Sequence, residues 1–220
     1  MIVENNLTFS GLKNRSDLHL ARKIWHMSTV FIMFTLWIFL PNWLSKALLA
    51  FGFLVLVSAD FLRLKNEGFN RFLTGFFGPI MRSSELHRLA GTTYLITGSV
   101  LTAFFFNKGV VALSLLFLAF ADPIASYVGI KYGKDKLFGH KSVQGFVAAF
   151  AVCTGLCYLF LFYNRVQDYI LIASLLAGLV GSLSELIPVG KLDDNFSMPV
   201  LSSIGLSILF YFFDYFSYFI

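Results

Sequence analysis

Residues 110–134 read VVALSLLFLAFADPIASYVGIKYGK. No charged side chain occurs from Val110 to Ala121, and the run ends on Asp122 and Pro123 before a strip of small residues and two lysines. A stretch apolar on every face has to be surrounded by other apolar groups, either protein core or lipid hydrocarbon. Its apolar part, Val110 to Tyr127, approaches the roughly 20 residues that cross the hydrocarbon layer of a bilayer, about 30 Å thick.

The rest of the chain chooses between core and lipid. Of 220 residues, 57% are hydrophobic and 13% charged, against about 25% charged in soluble domains. That excludes a soluble globule. Seven apolar segments lie between charge clusters: Ile24 to Leu40, Leu44 to Leu62, Thr92 to Phe106, Val110 to Tyr127, Val143 to Phe162, Asp168 to Ser184 and Pro199 to Ile220. The expected fold is all-α, a polytopic transmembrane helix bundle of about seven spans filling one integral-membrane domain over residues 1–220. Residues 1–21 are a polar segment without an apolar h-region, so the first span is expected to direct insertion rather than a cleavable signal peptide. Cys153 and Cys157 sit four apart in an apolar setting and read as small packing residues.

Seventeen Lys+Arg against 12 Asp+Glu give a net charge of +5. In a soluble protein that balance suggests nucleic acid; in a membrane chain it reports topology, and no nucleic-acid partner is expected. With the N-terminus in the cytoplasm, only Lys46, Lys108 and Arg165 among the basic residues and Asp168 and Asp214 among the acids fall outside. The C-terminus is then external. Basic residues on one side follow from the positive-inside rule, but acids gathered on the same side do not. Chemistry is therefore expected at the cytoplasmic face.

Within the cytoplasmic loop of residues 63–91, Phe69, Phe72, Leu73, Phe76, Phe77 and Ile80 recur at helical spacing, which predicts an interfacial amphipathic helix. It can be a strap packed on the bundle or a gate for lipid. Asp60, Asp122 and Glu185 recur 62 and 63 residues apart, each expected at the C-terminal end of a span. The helix dipole is unfavourable to an acid there, so neighbouring Lys or Arg, or a divalent cation, has to compensate. Asp60 with Arg63 one turn on reads as an interface residue. From Asp122, helical spacing lines up Ser126, Gly129 and Gly133 as a strip that lets a helix or a ligand approach. Pro123 lacks an N–H, so the Ala119 carbonyl is expected to lose its usual donor.

Lys131, Lys134, Lys136, His140 and Lys141 form a basic loop, and Lys141-Ser142 opens the next span, a pattern suited to phosphate at a helix N-terminus. The last internal loop holds Glu185, Pro188, Lys191, Asp193, Asp194 and Asn195, whose carboxylates and amide are hard oxygen donors suited to Mg²⁺. Near the N-terminus, Ser16 is a predicted cap for a helix in which Arg22 and His26 share a face beside Lys23. Glu85 and Arg88, spaced i, i+3, can pair at the entry to the third span, which would give them a purely structural role.

Together these segments resemble the dolichol kinase, phytol kinase and CTP-dependent diacylglycerol kinase family, related to phosphatidate cytidylyltransferases. The resemblance rests on Arg22-Lys23 with His26, Asp60 with Arg63-Leu64, Glu85 with Arg88 and Gly91, and Asp122 with Ala125, Gly129 and Gly133. Lys141-Ser142 with Gly145 and the Glu185–Pro199 loop complete it. It implies transfer of the γ-phosphoryl group of CTP to a membrane lipid alcohol such as diacylglycerol, a polyprenol or dolichol, or phytol. In that reading Asp122, Arg22, Lys23 and His26 are catalytic candidates, with Asp122 the first choice of base. Ser126, Gly129, Lys131, Gly133, Lys134, Lys141 and Ser142 face the nucleotide. Asp122, Glu185, Asp193 and Asp194 are the candidate Mg²⁺ ligands, and Glu85, Arg88 and Asn195 complete the motif. Two residues depart from the family pattern: Gln144 stands where a glutamate is expected, and Pro123 follows Asp122. The paired glycines and Asp-Arg-x-Asp ending of cytidylyltransferases are missing, which favours the kinase branch. A CTP:phosphatidate cytidylyltransferase is the nearest alternative, and a non-enzymatic transporter or scaffold is another. Homo-oligomers fit as well. The expected location is the inner membrane of a bacterium or an endoplasmic-reticulum-like membrane of a eukaryote.

Overall fold

The computed structural model describes residues 18–190 and 192–218, so Lys13, Arg15, the Ser16 cap and Lys191 lie outside the described residues. Each of the seven apolar segments is helical: α1 (Leu20–Phe39), α2 (Asn42–Lys65), α4 (Gly91–Phe105), α5 (Lys108–Lys131), α6 (Val143–Tyr163), α7 (Ile170–Leu186) and α8 (Asp194–Phe212). Among the described residues four of them, α2, α5, α6 and α8, are long and apolar enough to cross a membrane; α4 and α7 are apolar but shorter. α1 is 20 residues long and carries Arg22, Lys23 and His26 in its first two turns. The all-helical plan gains one small hairpin, β1 (Lys136–Phe138) paired antiparallel with β2 (Lys141–Ser142), in the basic loop before α6.

The stretch that opened the sequence is the centre of the molecule. In α5, 78% of the most apolar window is buried against 17% in α2, as expected for a helix apolar all round. α1, α4, α6 and α8 all pack on it. The outer helices turn large apolar side chains outward, including Phe51 and Leu54 of α2 and Leu171 and Ile172 of α7. Such a surface suits lipid.

Asp122 does not end its helix. The chain passes through Pro123 by widening into a π turn at Phe117–Ala121 and continues helically to Lys131. The dipole argument therefore holds for Glu185, one residue before the end of α7, and not for Asp122.

The predicted amphipathic helix is α3 (Glu67–Phe77), tied to α2. It is mounted with its polar side inward: Asn70 Nδ2 donates to the Leu86 carbonyl at 3.1 Å and Thr74 is buried, whereas Phe72 and Phe76 are 58% and 70% exposed. Asp60 is likewise not at an interface. It is 4% exposed, and one carboxylate oxygen pairs with Arg63 Nε while the other accepts from the Ala90 N–H at 2.8 Å and the Thr93 hydroxyl at 2.6 Å. Arg63 spends its remaining N–H groups on the carbonyls of Glu85 (2.8 Å) and Arg88 (2.7 Å). This pair pins the 85–93 segment to the end of α2.

Arg63→Met is expected to lower the unfolding free energy by about 3–5 kcal/mol, because it leaves the Asp60 charge buried without a partner. Denaturant titration in micelles measures this. The Asp60→Asn/Arg63→Met double variant should recover part of the loss; if it is no more stable than the single variant, the charge pair is not what holds the segment.

Candidate functional site

Ends of several segments converge on one cavity of about 350 Å³, within the size range of small-molecule sites. α1 contributes Arg22, Lys23 and His26; α5 contributes Asp122, Ser126 and Gly129; the hairpin contributes Lys141 and Ser142; α6 contributes Gly145; α7 contributes Glu185; α8 contributes Asp194 and Asn195. The loop before α4 brings Arg82, which no motif of the sequence marks as a site residue. Its Nη1 pairs with Asp193 Oδ2 at 3.2 Å, a partner 111 positions away that no local spacing could reveal.

Glu85 and Arg88 do not pair. Residues Ser83–Leu86 form a 3₁₀ turn that directs the Glu85 carboxylate inward, where Oε2 receives the Arg82 N–H at 3.1 Å and Oε1 the Gly91 N–H at 3.1 Å. Its cation is Arg22, at 2.8 Å, and Arg88 is exposed. Burial alone would raise the Glu85 carboxyl, but the Arg22 hydrogen bond and charge, with the Arg82 N–H, hold it below the ordinary glutamate value. Asn195 Nδ2 donates to the Gly91 carbonyl at 3.1 Å. A Cβ at Gly91 would lie 2.4 Å from Arg22 Nη2 and 2.8 Å from Asn195 Nδ2, so only glycine fits between them.

The small-residue strip is used by a helix. A Cβ at Gly133 would stand 2.6 Å from Ser142 Oγ, and one at Gly145 would stand 2.9 Å from the Ala125 carbonyl, so these glycines let α5 and α6 approach. Ser142 Oγ accepts the Gly145 N–H at 3.2 Å and caps α6. Lys131 is exposed, donating to the Tyr127 hydroxyl at 3.1 Å, and Lys134 is also exposed; neither lines the cavity, nor does Gly133. Gln144 fastens the hairpin with both ends of its amide, accepting from the Lys134 N–H at 3.1 Å and donating to Asp135 at 3.2 Å. A glutamate there has no donor for the second bond.

Two ammonium groups line the cavity with Asp122. Lys23 Nζ donates to Ser126 Oγ at 2.5 Å, one turn along α5. Lys141 Nζ lies 3.1 Å from Glu185 Oε1 and 3.3 Å from Asp194 Oδ2, and donates to the Glu185 carbonyl. Burial would lower the Lys141 ammonium, but Glu185, Asp194 and Asp122 around it raise it. Glu185 lies past the apolar stretch that ends at Ser184. Glu185 and Asp194 thus share one ammonium. Asp193 has other duties, capping α8 through the Asn195 N–H at 3.1 Å and pairing with Arg82. Among the described residues no three Asp, Glu, His or Cys side chains stand close enough to hold a metal ion by themselves.

Fold and site define a membrane protein with its ionisable groups drawn to one end of a helix bundle. Known proteins supply the family. The chain is 32% identical over 211 residues to the CTP-dependent diacylglycerol kinase 1 of Saccharomyces cerevisiae, covering 86% of this chain and 72% of the yeast protein. It is 30% identical over 169 residues to the protein of the same name from Schizosaccharomyces pombe, covering 72% and 78% respectively. To the probable phytol kinase 1, chloroplastic, of Glycine max it is 29% identical over 208 residues, covering 87% and 68%. No protein-family model matches, and no solved structure does. The chain belongs to this family of CTP-dependent lipid kinases.

Glu85→Gln is expected to lower the melting temperature at pH 7, with the difference from wild type shrinking in acid. The sign follows from a depressed carboxyl: its stabilisation is complete above the ordinary value of 4.5 and is lost as the pH falls through the folded-state value. Thermal unfolding in detergent across pH 7 to about pH 3 reads the difference. A gap that stays constant over that range would mean that Glu85 contributes by something other than its charge.

Proposed function

We propose that the protein transfers the γ-phosphoryl group of CTP to the hydroxyl of diacylglycerol at the cytoplasmic face of a seven-span bundle whose N-terminus is cytoplasmic and whose C-terminus is external. The observation that carries the reading is that Asp122 lines one cavity together with Lys23 and Lys141. The acceptor rests on the names of the two fungal relatives; phytol and polyprenols are the other acceptors that fit an apolar body with one hydroxyl.

Phosphoryl transfer asks for position and charge neutralisation more than for covalent chemistry. In this reading Lys23, Arg22 and Lys141 oppose the triphosphate charge. Asp122 accepts the proton of the lipid hydroxyl as its oxygen bonds to the γ-phosphorus, and CDP leaves with the bridging oxygen. The donor set fits Mg²⁺: Asp122, Glu185 and Asp194 offer carboxylate oxygens only, and the Lys141 ammonium already stands as a cation between the last two. A set too open to close a metal site alone suits an ion that keeps waters and takes substrate phosphates. When bound, the ion supplies charge neutralisation across the phosphate oxygens. Asp193, committed to Arg82 and the α8 cap, is left out of that set.

Purified protein given diacylglycerol and labelled CTP is expected to move γ-label to lipid. Transfer of α-label instead identifies a cytidylyltransferase, and no transfer to diacylglycerol, phytol or polyprenol identifies a transporter or scaffold. Asp122→Ala is expected to cut transfer by about 100-fold or more while the protein still inserts and melts near wild type; near-normal turnover would remove Asp122 from the reaction.

A further inference from the structure

Pro123 makes a defect in the most buried helix of the molecule. A π turn pairs the carbonyl of residue i with the N–H of residue i+5. Within Phe117–Ala121 the Leu118 carbonyl therefore looks to position 123, which is proline and has no N–H. In a plain α-helix the deprived carbonyl would be that of Ala119, as the sequence predicts; the π turn moves the vacancy back by one. Leu118 is fully buried, so water is no substitute donor.

His26, 92 positions away on α1, fills the vacancy with Nε2 at 2.9 Å from the Leu118 oxygen. A carbonyl only accepts, so Nε2 carries the hydrogen. The same Nε2 stands 3.8 Å from Asp122 Oδ2, beyond hydrogen-bond reach. The imidazole thus holds the backbone that carries Asp122 without a hydrogen bond to its carboxylate. Together with the Lys23–Ser126 bond one turn away, this tie fixes how far α5 is rolled against α1, and Asp122 lies between the two ties.

We propose that His26 is a positioning residue that repairs the backbone vacancy left by Pro123 and so sets the aim of Asp122 into the cavity, a reading that rests on the proposed kinase site. The test is a cycle of three variants. His26→Leu removes the donor and is expected to lower kcat by about 100-fold with little change in the KM for CTP. His26→Gln keeps an N–H near the same place and is expected to retain most of kcat. Pro123→Ala returns the missing N–H, so adding His26→Leu to Pro123→Ala is expected to cost less than about tenfold relative to the Pro123→Ala parent. Wild-type kcat in His26→Leu, no rescue by glutamine, or an equal loss in both backgrounds overturns the inference. Turnover by the wild type tests the kinase reading separately. Should the wild type turn over no CTP, melting temperature reads the same cycle: His26→Leu must destabilise the Pro123 protein and spare the Pro123→Ala protein, and an equal effect in both overturns it.

Discussion

A helix enclosed on all sides by apolar groups has no water to complete its hydrogen bonds, and α5 is such a helix. Every polar feature placed on it has to be matched from a neighbouring element. The Pro123 vacancy is met by His26 of α1, and the Ser126 hydroxyl is met by Lys23 of the same helix. Gly129, Gly133 and Gly145 bring α5 and the capped start of α6 into contact. The position of the first helix is therefore dictated by what the central helix lacks. The cavity is the space left beside those contacts.

The same rule governs charge at that end of the bundle. Glu85 is met by Arg22, Asp60 by Arg63 and Asp193 by Arg82. Glu185 and Asp194 both stand against Lys141, with Asp122 near enough to raise its ammonium further. The paired acids are structural; the acids in excess are those that line the cavity.

Much of this was legible in the sequence. Apolar length alone gave seven helical segments, because the signal for a helix crossing lipid is composition over about 20 residues and needs no partner. The site residues Arg22, Lys23, His26, Asp122, Ser126, Gly129, Lys141, Ser142, Glu185, Asp194 and Asn195 all line one cavity. Pairings were another matter. The Glu85–Arg88 pair assumed a helix, whereas a 3₁₀ turn aims Glu85 at Arg22, 63 positions earlier. Local spacing makes Asp60 look like a boundary residue, because its two further donors, Ala90 and Thr93, are contributed from 30 and 33 positions away. The amphipathic pattern of α3 was visible, but its direction was not: periodicity tells that a helix has two faces and says nothing about which medium each meets. Phe72 and Phe76 outward with Asn70 inward is the arrangement of a helix whose outside is apolar.

Each tie at the site joins parts of the chain far apart in sequence: Arg22 to Glu85, Lys23 to Ser126, His26 to Leu118, Lys141 to Glu185 and Asn195 to Gly91. No hairpin or single pair of helices contains it. The cavity thus takes shape only as the ends of α1, α5, α7 and α8 close on one another, and the bonds that close them involve the cavity's own side chains. Arg22 illustrates the consequence, since one guanidinium pairs with Glu85, donates to the Ile80 carbonyl and leaves room at Gly91 for nothing larger than hydrogen. Loss of such a residue removes a cavity wall and a helix contact together, so a dead variant at Arg22 does not by itself assign it a chemical role. Asp122 differs because the backbone around it is held by neighbours rather than by its own carboxylate. A carboxylate that the fold positions but does not consume is one whose removal reports on chemistry.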